Sequence, residues 1–173
     1  MSKYTFLLVL FDGYYQHSEL QADSKYTTCR TLVGHTNMAL STWLSVEVGS
    51  YTMSGMVGLH KDVDFLEQWA DQISIPGMSH SSMNLKGALA ELRQMVNLVL
   101  SCDLDVLFTP AGQAEVYPIL MMNPARLISF LDKFRDSSDA RLKRKQIDVV
   151  LKRLKEKKKT TRRGGMANFA GLQ

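Results

Sequence analysis

A chain of 173 residues, 45% of them hydrophobic, holds enough apolar material for one core and an appendage. No stretch approaches the roughly 20 apolar residues that a spanning helix needs, which argues against a transmembrane helix. The net charge of +4 hides a division: residues 141–163 carry twelve cations against Asp148 and Glu156, or +10, so the rest of the chain stands at −6.

Residues 4–11 are aromatic and β-rich and stop at Asp12-Gly13, which predicts a buried strand and a turn rather than a secretory leader. A polar loop follows over 14–24. Thr27, Thr28, Thr31 and Val33 favour a second strand over 25–33, with a turn at 34–37. Leu44, Val46 and Val48 alternate with Ser45 and Glu47, the pattern of a half-exposed strand, and 51–59 reads as its hairpin partner. The periodicity then turns helical. Val63, Leu66, Ala70 and Ile73 form a stripe behind an N-cap at Asp62, with Phe65 and Trp69 beside it, and Pro76-Gly77 ends it. Leu85, Ala88, Leu89, Leu92, Val96 and Val99 predict the next helix. Residues 103–108 read as a short strand. Asn123-Pro124 places an N-cap before a proline at the first helical position, and Leu127, Ile128, Leu131 and Phe134 then face one way. In the last helix Ile147, Val150, Leu151 and Leu154 make a narrow apolar seam, read as the surface that meets a partner helix. Gly164-Gly165 is expected to end it.

Charge is the strongest functional signal. Arg141, Lys143, Arg144, Lys145, Lys152, Arg153, Lys155, Lys157, Lys158, Lys159, Arg162 and Arg163 are the expected polyanion-binding residues. A helix so charged attracts nucleic acid, an anionic leaflet or an acidic protein face, and its binding weakens with salt. No aromatic residue lies between Arg135 and Asn168, so base stacking is not expected there. The clusters 141–145 and 152–159 also have the form of a two-part nuclear import signal.

Signals for catalysis are weak. His17, His35, His60 and His80 show no metal-ligand spacing, and the distant Cys29 and Cys102 read as reduced core thiols. No nucleophile elbow, Walker loop or dinucleotide fingerprint occurs. No cofactor, metal or small-molecule substrate is expected, and the chain is expected not to be an enzyme. Ten methionines are expected mainly to fill gaps in the core.

Two family resemblances arise. A strand (WLSVEVGSY), a helix with a late tryptophan (DVDFLEQWADQ), a glycine turn (SIPGM) and a second helix (NLKGALAEL) resemble the central part of rhabdovirus matrix proteins. Tyr117, Pro118 and Leu120 fit the form Y-P-x-L, which resembles a late motif of budding viruses. The matrix resemblance implies a self-associating structural protein that links a nucleocapsid to an anionic membrane surface, cytoplasmic or nuclear in a host cell and also in the virion. The basic segment is C-terminal and P-P-x-Y is missing, unlike the animal-virus members. Alternatively, Asp12-Gly13 after the first strand and the stretch FLEQWADQISIPGMSHSSMNLKGALAEL are similar to a von Willebrand A-type domain in its Mediator-subunit version. That resemblance implies a nucleic-acid-associated or transcription-related protein-interaction module.

The expected architecture is an α+β domain over 1–136, with a mixed sheet and three packed helices. A basic helical extension over 137–163 and a flexible tail over 164–173 follow. The expected partners are nucleic acid or a nucleocapsid, an anionic membrane surface and further copies of the chain.

Overall fold

The computed structural model describes residues 22–72, 85–135 and 141–167. Its α-helices are α1 (Ala22–Thr42), α2 (Met53–Gln72), α3 (Ala90–Leu100), α4 (Pro118–Met122), α5 (Pro124–Asp132) and α6 (Arg141–Ala167). Short 3₁₀ turns occupy Lys86–Leu89 and Asp105–Phe108, and π-helical turns occupy Trp43–Glu47 and Gly112–Val116. No strand occurs among the described residues, where an isolated bridge joins Tyr51 to Phe134. The expected α+β fold with a mixed sheet is therefore replaced by a helical one. The strand expected at 4–11, its turn at Asp12-Gly13 and the helix end at Pro76-Gly77 lie outside the described residues.

The reasons for the correction are local. In α1 the inward positions recur every four residues but are Cys29, Val33, Asn37 and Ser41, so polar groups interrupt the apolar stripe. The β-branched threonines that favoured a strand are accommodated by back-bonding. Thr28 Oγ1 donates to the Ser24 carbonyl and Thr36 Oγ1 to that of Leu32. Trp43–Glu47 is a wide helical turn, in which Val48 N donates to Trp43 O at 2.7 Å. It buries the neighbours Leu44 and Ser45 and leaves Val46 and Glu47 outside, the burial of a helical turn and not of a strand.

Helix α2 starts nine residues before the expected cap at Asp62. Thr52 caps it instead: its Oγ1 accepts from Gly55 N at 3.3 Å and its carbonyl from Met56 N. Residues 103–108 form no strand, because Asp103 Oδ1 accepts from Asp105 N at 2.8 Å and tightens the chain into a 3₁₀ turn. The Asn123 start holds: its side chain accepts from Arg126 N at 3.1 Å. Helix α6 continues through Gly164-Gly165 to Ala167 rather than stopping there.

Helix α3 sits at the centre and packs against α1, α2 and α4. Leu92, Met95, Val96, Leu98 and Val99 are all buried, so it is enclosed on most sides. Each such side chain contributes roughly 1.5–3 kcal/mol on leaving water. Gln94 on α3 also caps α4, its Oε1 accepting from Ile119 N at 3.1 Å and Leu120 N at 3.2 Å. Helix α5 packs on α6 and on the π turn at Trp43–Glu47. The α6 residues Ile147, Val150, Leu151 and Leu154 are buried in the same core as α3 and α5.

A clasp links the α1–α2 connection to the end of α5. Tyr51 N donates to Lys133 O at 3.1 Å, and Arg135 N donates to Tyr51 O at 2.8 Å. The Tyr51 ring stacks on Phe130 at 5.0 Å and meets Phe134 edge-on at 5.8 Å. Its hydroxyl donates to the Phe130 carbonyl. Burial holds this phenol well above its usual pKa.

Candidate interaction surface

The twelve cations of α6 do not form one uniform field. Lys143 is only 9% exposed, and its ammonium donates to the Ser101 carbonyl. Arg144 donates to the Phe134 carbonyl and pairs with Asp148 at 2.9 Å. Arg153 pairs with Asp105, and its guanidinium lies 3.7 Å over the Phe108 ring centroid. Lys155 meets Asp132 at 3.6 Å. Lys145, Lys152 and Lys157 are exposed. The side chains of Arg141, Lys158, Lys159, Arg162 and Arg163 lie outside the described residues. Part of the basic segment is thus engaged with the protein's own carboxylates and carbonyls.

Lys143 carries a measurable consequence. Burial pushes its pKa below the usual 10.5, with Cys102 acting in the opposite direction. The folded state therefore sheds this proton at lower pH than the unfolded chain does. Between the two values the unfolded state holds more protons, so stability rises with pH there. Lys143→Met removes that dependence. Urea unfolding from neutral pH to 10.5 is expected to show wild type gaining on Lys143→Met as pH rises; parallel curves would contradict the assignment.

The Y-P-x-L residues sit at the start of α4. Tyr117 and Leu120 are buried and Pro118 is the first residue of the helix. Burial raises the Tyr117 pKa. Of the two cysteines, Cys29 is buried, with its thiol pushed up to about 11, whereas Cys102 is exposed rather than in the core. Among the described residues no group of three His, Cys, Asp or Glu side chains could hold a metal, and no helix is long and apolar enough to cross a membrane.

Two arginine networks were not anticipated from the sequence. Arg126 on α5 pairs with Glu91 on α3 at 3.0 Å. Its other nitrogens donate to Ser45 Oγ at 3.0 Å, Ser41 Oγ at 2.9 Å and Thr42 Oγ1 at 3.0 Å. Ser41 Oγ in turn lies 3.0 Å from Glu91 Oε2. This network ties α1, its π turn, α3 and α5 together. Arg93 forms the second, donating to both oxygens of Glu67, to Asp64 at 2.7 Å and to His60 Nδ1 at 2.9 Å. Its carboxylate partners raise the Arg93 pKa further, Glu67 foremost. Asp64 and Glu67, three residues apart on α2, were the available signal.

What this helical scaffold belongs to is decided by comparison with known families. The family of the exocyst complex subunit Sec15 C-terminal region matches residues 4–133. The chain belongs to the Sec15 C-terminal family. Exocyst complex component SEC15B of Arabidopsis thaliana is 27% identical over 117 residues, covering 61% of this chain and 15% of the relative. SEC15A of the same plant is 24% identical over 153 residues, covering 79% of this chain and 19% of the relative. The chain thus spans less than a fifth of the length of either relative. No solved structure matches it.

Membership of the Sec15 family overturns both resemblances drawn from pattern. The likeness to rhabdovirus matrix proteins rested on a strand before a helix, and the segment WLSVE is a helical turn. The von Willebrand A likeness needed alternating strands, none of which occurs among the described residues. With them fall the matrix-like bridging of nucleocapsid and membrane, the transcription-related module, and the RNA-binding, virion and nuclear assignments.

Proposed function

We propose that this chain serves as a domain of an exocyst subunit and takes part in tethering secretory vesicles at the plasma membrane, through protein contacts and without catalysis. The observation that carries the reading is the Sec15 C-terminal match across residues 4–133. The two Arabidopsis exocyst components support it, each aligned over more than half of the chain. The fold is consistent with such a role: its arginine networks and apolar seams serve to hold helices rigidly, as a scaffold for partner binding requires. On this reading the protein works in the cytoplasm, at vesicle and plasma-membrane sites.

The test is reconstitution. The full chain, tagged, is mixed with purified exocyst subunits and separated by gel filtration. Co-elution with at least one subunit is the expected result. Elution of the folded chain alone, across all subunits tried, would overturn the assignment.

A further inference from the structure

The outward strip of α6 combines an apolar side chain with exposed positive charge. Val149 is 57% exposed, although it lies on a helix whose other aliphatic residues at 147–154 are buried. Lys145 stands four residues before it and Lys152 three after, spacings that place all three side by side on one helix face. Both lysines are exposed. Glu156 follows on the same face one turn beyond Lys152, and the two border a depression with Asp148, which is engaged with Arg144, and Asp132, which is engaged with Lys155. The helix then runs on to Ala167, and residues 158–163 add four cations and no carboxylate.

The protein itself shows what satisfies cations on this helix. Arg144, Arg153 and Lys155 each meet an aspartate, and Arg153 adds contact with an apolar ring. A partner that offers carboxylates beside apolar surface would repeat that chemistry on the outer face. A lipid leaflet fits less well. The outward strip has no tryptophan or phenylalanine to enter the interface, and the apolar seam that could have done so is buried in the core. A bare phosphate chain would leave Val149 unmatched. Protein interfaces, by contrast, place an apolar contact inside a charged rim.

We propose that the Lys145–Val149–Lys152 face of α6 binds an acidic amphipathic helix of another protein, an apolar row seated on Val149 and glutamates or aspartates reaching the lysines. This deepens the reading of the chain as a subunit that works through protein partners. The binding is of the helix-on-helix type, with charge supplying orientation and rate.

The probe is a fluorescein-labelled synthetic helical peptide with one leucine row flanked by glutamates, titrated with the full chain at low salt and followed by anisotropy. Saturable binding is expected, weakening as salt is raised. Lys145→Glu/Lys152→Glu is expected to reduce affinity about five-fold or more, and Val149→Asp by a similar factor. All three positions are exposed, and circular dichroism melts confirm that the variants remain folded. A control peptide with lysine in place of glutamate should not bind. Absence of saturable binding by the wild-type chain would overturn the proposal, as would affinity unchanged in both variants. Tighter binding to phosphatidylserine vesicles or to RNA through the same residues would overturn it too. Peptide binding without co-elution with exocyst subunits would sink the assembly reading and leave this one standing; the reverse pattern would sink only this one.

Discussion

Gly112→Ala is expected to lower stability by about 3 kcal/mol or more, the upper end of what overpacking costs in a closed site. A Cβ at this position would fall 1.7 Å from the Val106 carbonyl oxygen and 2.6 Å from its carbon. Both belong to backbone, so no side-chain rotation can clear the way. The 3₁₀ turn Asp105–Phe108 and the π turn Gly112–Val116 are pressed together there, with Thr109 Oγ1 accepting from Gly112 N at 2.9 Å and Gln113 Nε2 donating to Leu107 O at 3.0 Å. Separating them also disturbs Leu107, which is fully buried. Gly58→Ala is the matched control. It lies inside α2 with open space where the Cβ would go, so alanine should leave stability unchanged or raise it by up to about 1 kcal/mol. Urea midpoints of the two variants decide the matter; equal midpoints would refute the close approach.

The second large effect belongs to Arg126. Arg126→Met keeps much of the side chain's bulk but removes its pair with Glu91 and three hydrogen bonds to Ser41, Thr42 and Ser45. The arginine and glutamate side chains are 26% and 18% exposed, and both serine residues are fully buried. Breaking a buried pair from one side leaves a carboxylate without its counter-charge, at a cost of about 3–5 kcal/mol when burial is complete. Partial exposure places the expectation near the lower figure, about 3 kcal/mol. Glu91→Gln in the same chain removes the stranded charge and should recover about 1 kcal/mol or more. A double-mutant cycle by urea unfolding reads this coupling, and strictly additive losses would show that the two groups act independently.

Legibility in the sequence followed the chemistry of each stripe. Helices α3 and α5 and the seam of α6 were visible because their inward positions are leucine, valine, isoleucine and phenylalanine at helical spacing. Helix α1 was hidden because Asn37 and Ser41 occupy inward positions, where they bond to Leu92 N and Glu91 across to α3. The partners lie 50 and 55 residues away along the chain, so no local pattern carries the information. Leu44, Val46 and Val48 misled for a different reason: their alternate spacing in sequence is not matched by burial, because the five-residue turn buries Leu44 together with Ser45 and exposes Val46. The charge run over 141–163 did not show its internal pairs, because Asp105 and Asp132, which engage Arg153 and Lys155, lie in other elements. The family match rests on similarity spread over residues 4–133, whereas both pattern-based resemblances leaned on far shorter stretches.

The clasp at Tyr51 also sets an order of events. Its hydroxyl reaches a carbonyl 79 residues away, so closing it requires a large loop to come together. Neighbouring helices such as α4 and α5 can pair through short connections well before that. The Tyr51 and Arg135 amides lie outside the helices and depend on that long-range closure: in native-state deuterium exchange they are expected to lose protection ahead of the α3 amides.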